Sequence, residues 1–239
     1  MKQLYQNYTD DDREVWRMLF ERQIENLKDK SCPEYFENLE KLSGVLHADD
    51  IPNFVKLDEV LMHNNGWSIQ VVPGIIPVDE FFELLAVKRF CSSTWLRMRS
   101  QLDYLQEPDM FHDIFGHIPL LMNHEYADFT QKVGNLGAKF KHIPEILNGL
   151  QSLYWFTIEF GILNRKGRRE LYGAGIASSF GETNHIFSDE VAIEKFDLVK
   201  IINMSFVNSE IQNLYFEIES FNQLYETVDI LADRWKHLV

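Results

Sequence analysis

Val15, Met18, Leu19 and Leu27 recur at helical spacing among polar neighbours and predict an amphipathic helix over Asp10–Leu27. Thr9, three residues ahead of Asp12, supplies an N-cap arrangement for it. Cys32-Pro33 interrupts the pattern, and Glu34–Leu42 predicts a second helix closed by Gly44. After Ile51-Pro52-Asn53, a third helix over Val55–His63 ends at the turn signal Asn64-Asn65-Gly66. Trp67–Val72 alternates and predicts a short strand stopped by Pro73-Gly74, followed by an apolar helix over Asp79–Val87. Glu107–Phe115, Tyr126–Val133, Ile146–Leu163 and Ser220–His237 give further helical stretches, while Arg169–Tyr172 and Asn213–Ile218 predict short strands. The expected fold class is mostly α with minor β. With no internal repeat and no Pro/Gly/Ser-rich linker, the expectation is a single domain over residues 1–239.

Composition narrows the function classes. Of 239 residues, 45% are hydrophobic and 25% charged, a globular balance that excludes disordered or collagen-like chains. A formal net charge of -14, from 37 acidic and 23 basic residues, opposes a broad electrostatic grip on nucleic acid or anionic lipid. A small-molecule partner fits better, with no nucleic acid and no membrane. The one basic cluster, Asn164–Arg169, has Gly167 near its centre and reads as an exposed hairpin loop. Nowhere do about 18 apolar residues run together, and no apolar run follows Lys2, so neither membrane insertion nor secretion is expected. Cys32 and Cys91 read as two reduced thiols, and the expected compartment is the cytoplasm.

Chemistry concentrates at His112 and His117, which bracket Asp113-Ile114-Phe115-Gly116 in an otherwise apolar stretch ending at Pro119. Zinc sites of the His-Glu-x-x-His type place ligands four apart on one helix face. A spacing of five puts the two side chains about 140° apart on an ideal helix, so both reach one ion only where the helix loosens. Gly116 and Pro119 supply means for that. The alternative is two satisfied core histidines. Glu159 is the single carboxylate in Leu153–Gly161, a run too apolar to be solvated, and a buried unpaired charge costs several kcal/mol, roughly. It therefore needs a cation, either a metal or a structural Arg or Lys. Two imidazoles and a carboxylate form the facial triad of non-heme Fe(II) oxygenases, which leaves positions open for oxygen and substrate.

The segment Tyr104-Leu-Gln-Glu-Pro-Asp-Met-Phe-His-Asp-Ile-Phe-Gly-His117 resembles the metal-binding signature of the pterin-dependent aromatic amino acid hydroxylases, in particular their bacterial phenylalanine-hydroxylating branch. Leu153–Gly161 and Tyr172–Glu182 resemble two further blocks of that family, and the resemblance spans about residues 13–225. It implies a catalytic domain of the aromatic amino acid hydroxylase type that uses Fe(II), a tetrahydropterin and O₂ to convert L-phenylalanine to L-tyrosine. It further implies that His112, His117 and Glu159 bind iron. Arg97 matches the arginine that pairs with the substrate carboxylate, Trp155 an aromatic wall of the amino acid pocket, and Ser178 a serine supporting a ligand histidine. Gly74, Ile75 and Ile76 match a loop whose backbone bonds the pterin ring, and Phe81 the aromatic that stacks on it. Glu107 and Pro108 match residues lining the pterin cavity, Asp113 an acid facing the pterin, and Tyr154 a residue close to the iron. Without the resemblance, Arg97 reads as a surface arginine, Phe81, Tyr154 and Trp155 as packing, and Ser178 as turn chemistry.

Two departures bear on selectivity. Leu105-Gln106 replaces a Thr-Pro pair of the animal enzymes, removing a hydroxyl contact to substrate, and Asn208 stands where phenylalanine hydroxylases tend to be apolar. The expected preference is phenylalanine over tryptophan over tyrosine. No regulatory or tetramerising segment of the kind found in animal members is expected, and with that a monomer is expected. A zinc hydrolase built on the same ligands, and a non-enzymatic binding relative, are the alternatives.

Overall fold

The structure, a computed structural model, describes residues 1–103, 105 and 107–238. Tyr104 and Gln106, both within the histidine-bearing motif, lie outside the described residues. The chain opens with helices α1 (Asp10–Leu27), α2 (Pro33–Lys41) and α3 (Phe54–Asn65). Thr9 caps α1 through a reciprocal bond with Asp12, as its spacing implies. Strand β1 (Ser68–Val71), helix α4 (Val78–Ala86) and strand β2 (Arg89–Ser92) follow, with β1 and β2 paired in parallel. The sequence pattern did not predict β2, because four residues with a charged start carry too little alternation to register.

A π-helical turn over His112–His117 runs directly into α5 (Ile118–Leu121), and α6 (His124–Lys139) and α7 (Pro144–Tyr154) form the centre of the helical layer. A second π-helical turn, Trp155–Glu159, continues α7 and gives way to strand β3 (Ile162–Arg165). The helix expected to reach Leu163 thus ends at Glu159. β3 turns at Lys166-Gly167, both in the left-handed region, into the antiparallel β4 (Arg168–Leu171), the hairpin expected of the basic cluster. Short helices α8 (Ala174–Ser178) and α9 (Phe180–His185), strand β5 (Ala192–Lys195), helix α10 (Leu198–Ile201), strand β6 (Leu214–Ile218) and helix α11 (Phe221–Trp235) complete the order. The second sheet runs β4-β3-β6-β5, with β6 parallel to both its neighbours.

Mostly α with minor β is therefore the observed architecture. Its core contains Trp16, Trp67, Tyr35, Phe82, Phe111, Phe115 and Phe129, all fully buried. α4 lies unusually close to α6, where a Cβ on Gly137 would stand 2.3 Å from the Phe82 ring, so glycine there is what lets the two helices touch. That contact fixes α4, the helix carrying Phe81. No helix among the described residues is long and apolar enough to cross a membrane.

Candidate metal centre and the two cavities that meet there

The five-residue histidine spacing is resolved by the π-helical turn. Bonding from i to i+5 brings residues five apart onto one face, in place of the 140° separation of an α-helix. The sequence accounts for the loosening. Pro119 has no N–H to offer the Phe115 carbonyl four residues back, and the Tyr35 hydroxyl from α2 donates to that carbonyl instead, at 2.6 Å. The second turn is also π-helical, with Phe160 N–H donating to the Trp155 carbonyl at 2.9 Å, and it aims Glu159 at the histidines.

His112 Nε2 and His117 Nε2 stand 3.2 Å apart, and the Glu159 oxygens lie 3.1 Å from His117 Nε2 and 3.5 Å from His112 Nε2. Ligand bonds of about 2.1 Å at right angles put donor atoms about 3 Å apart, so the three side chains already have the spacing of a facial triad. Among the described residues, the three form a group able to hold one ion, and no arginine or lysine pairs with Glu159. The salt-bridge alternative for Glu159 is thereby removed.

Protonation suits metal binding. Burial pushes the His112 imidazole down to about 4, although Glu159 pulls the other way, so the ring is neutral at pH 7. Burial opposes ionisation of Glu159, but His117 and His112 outweigh it, with the Tyr154 hydroxyl adding to them, and the carboxyl stays below its usual value. Ser178 Oγ donates to the Ala174 carbonyl at 2.8 Å and so accepts from His112 Nδ1–H, also at 2.8 Å, which leaves the Nε2 lone pair for a metal. α8 reaches this position because Gly173 presses its backbone on the second π-turn, where a Cβ would lie 2.3 Å from the Glu159 carbonyl oxygen.

Two cavities open on the triad and share Ile75, Pro108, His112, Trp155 and Glu159 in their walls. The first, about 250 Å³, is lined by Gly74, Ile75, Ile76, Phe81, Asp113 and Tyr154. Phe81 meets Tyr154 edge to face at 5.1 Å, and Tyr154 overlies His117 with centroids 6.4 Å apart. Asp113 accepts from Ser93 N–H at 2.8 Å, yet burial pushes its carboxyl well above the usual range. The second cavity, about 300 Å³, is lined by Arg97, Glu107, Trp155, Ser178 and Asn208. Glu107 therefore sits on the second cavity, whereas Pro108 borders both.

Arg97 is 8% exposed and so is no surface residue. Its fork, matched in the sequence reading to a substrate carboxylate, is engaged by Asp109, with Nε donating at 2.9 Å and Nη2 at 2.8 Å. Asp109 is completely buried and also accepts from the backbone N–H of Arg97 and of His112. One carboxylate thus joins the arginine to the turn that bears the histidines. Sequence reasoning missed Asp109, although an aspartate three residues before His112 has the spacing of an N-cap.

A sequence profile described as biopterin-dependent aromatic amino acid hydroxylase matches residues 3–237. The chain belongs to that family. This hydroxylase is 44% identical over 221 residues to the phenylalanine-4-hydroxylase of Chromobacterium violaceum, covering 92% of this chain and 73% of the relative. A crystal structure of phenylalanine hydroxylase from that organism, with bound iron(III) and oxidised 7,8-dihydrobiopterin, superposes with a TM-score of 0.91 at 42% identity, covering 99% of this chain and 86% of the other. The apo structure of the cold-active enzyme from Colwellia psychrerythraea gives 0.89 at 38% identity, covering 95% and 87%.

Proposed function

We propose that this hydroxylase is a phenylalanine 4-monooxygenase, converting L-phenylalanine to L-tyrosine with Fe(II), a tetrahydropterin and O₂. The observation that carries the reading is the position of the His112, His117 and Glu159 donors where two cavities meet, one against Phe81 and the other holding Arg97 and Trp155. The named relatives, and the iron and dihydrobiopterin held by one of them, support it.

When bound, iron and the reduced pterin would supply the electrons that activate O₂, which is the oxidant. The chain's residues hold, orient and exclude water. His112, His117 and Glu159 hold the iron, and Ser178 keeps His112 in the tautomer that can bind. In the first cavity, Phe81, the backbone of Gly74, Ile75 and Ile76, and Asp113 would hold the pterin. Tyr154, whose phenol burial holds well above its usual pKa, stays protonated beside Glu159. In the second, Asp109 occupies Nε and Nη2 of Arg97, so a substrate carboxylate is met by the Nη1 edge. Trp155 walls the ring, with Glu107 toward the mouth. Placing the arene beside the iron in an apolar site converts a bimolecular step into a positioned one.

In this reading the partner is a small amino acid, and the enzyme works as a monomer in the cytoplasm, where Cys32 and Cys91, both buried and unpaired, stay reduced. An assay with Fe(II), tetrahydropterin and each aromatic amino acid is expected to give kcat/KM in the order phenylalanine, tryptophan, tyrosine. Discrimination between rings by an apolar wall amounts to about 1–3 kcal/mol, so the tryptophan gap is modest. A preference for tyrosine would overturn the substrate assignment, and no hydroxylation with Fe(II) together with hydrolytic activity of the Zn(II)-loaded protein would favour the hydrolase alternative.

A further inference from the structure

Trp155 is one of the side chains that both cavities share, and its indole is held in part by residues distant in sequence. Its Nε1–H donates to Gln212 Oε1 at 3.0 Å, Phe206 stacks on its face with centroids 4.4 Å apart and planes 12° from parallel, and Phe160 leans on it at 4.6 Å. Phe206 and Gln212 bracket the loop that carries Asn208 to the second cavity. We propose that Gln212 is a positioning residue whose side-chain oxygen fixes the Trp155 wall and thereby sets the preference for a six-membered ring over an indole.

The hydrogen bonds leave the amide no other orientation. Gln212 is 8% exposed, and its Nε2 gives one hydrogen to the Val207 carbonyl at 2.9 Å and one to the Glu210 carbonyl at 2.8 Å. A glutamine amide has two donors and one acceptor group, so with both donors spent on carbonyls the oxygen must face the indole, which can only donate. The backbone is fixed as well. Gln212 N–H donates to Glu182 Oε1 at 3.0 Å, and the other oxygen of that carboxylate accepts from the Tyr215 hydroxyl on β6. A chain of contacts thus runs from the sheet through Glu182 and Gln212 to the wall of the cavity. Without the acceptor, the indole N–H loses its partner and the ring is free to tilt about its stacking contact, widening the cavity toward larger substrates.

The inference rests on the proposed hydroxylation of aromatic amino acids, and a double-mutant cycle separates the two. Gln212→Met, near in shape but without an acceptor for the indole, is compared with wild type and again in a Trp155→Phe background, where no indole N–H exists. In the Trp155 background the ratio of kcat/KM for phenylalanine over tryptophan is expected to fall about three- to tenfold, the worth of a typical hydrogen bond. The yield of hydroxylated product per tetrahydropterin oxidised is expected to fall with it. In the Trp155→Phe background, Gln212→Met still loses the bonds to the Val207 and Glu210 carbonyls but no indole contact, so its effect on both readouts is expected to be clearly smaller, and the difference between the backgrounds is the coupling of Gln212 to Trp155. A merely structural role would move both backgrounds alike. Should Gln212→Met fail to fold, Gln212→Asn, one methylene short of the indole, replaces it in the same cycle. Equal shifts in the two backgrounds, or an unchanged ratio, would overturn the role of Gln212. Absence of any hydroxylation by the wild-type enzyme would instead overturn the proposed function.

Discussion

His112→Ala, His117→Ala and Glu159→Ala are each expected to abolish hydroxylation while the chain keeps its helix content. The three donors stand 3.1 to 3.5 Å from one another, and removing any of them leaves a two-ligand site with the wrong geometry. Folding is expected to survive because all three side chains line the cavities, although His117 also packs on Phe90 and its loss is expected to cost the most stability. Thermal unfolding with and without Fe(II) under anaerobic conditions checks this independently of turnover. Metal at about 100 times its dissociation constant stabilises the wild type by about 2.7 kcal/mol, or about 5–10 °C for a chain of this size. The variants are expected to show no such rise. A His117→Ala protein with full iron and full activity would contradict the ligand assignment.

Arg97→Ala is expected to lose stability and substrate affinity together, because the arginine serves Asp109 as well as the cavity. Removing it strands a completely buried carboxylate, at a cost of about 3–5 kcal/mol. That same carboxylate holds the His112 backbone N–H, so iron affinity is expected to fall too. Arg97→Lys separates the effects. It keeps a charge near Asp109, so the fold is expected to persist, but a point charge cannot reproduce a guanidinium fork that grips Asp109 and a substrate carboxylate together. Its KM for phenylalanine is expected to rise at least about tenfold, the worth of a charge-assisted pair, with the KM for pterin within about twofold. Equal rises for both substrates would show that Arg97 serves the fold alone.

The three donor residues were legible because each is a polar group in an apolar run, and such a group demands a partner. Their geometry was not. The sequence pattern allows an α-helix through His112 and His117, and the π-turn depends on Tyr35, some eighty residues away, donating to the Phe115 carbonyl. The long helices and the Lys166-Gly167 hairpin were readable from local periodicity and turn chemistry. β2 and β5, four residues each, were not, because parallel pairing is settled by neighbours distant in sequence. Arg97 was visible only through family resemblance, and its partner Asp109 was hidden inside a motif where attention falls on the histidines. Gln212 carries no local signal at all, since its meaning comes from an indole 57 residues away.

A single turnover of anaerobically loaded Fe(II) enzyme with tetrahydropterin and L-phenylalanine, started by ¹⁸O₂, tests the central claim most directly. The expected result is L-tyrosine carrying one ¹⁸O atom in its new hydroxyl, in an amount approaching the bound iron and abolished by Glu159→Ala. Tyrosine with solvent oxygen in that position, or none formed by fully loaded wild-type enzyme, would contradict it.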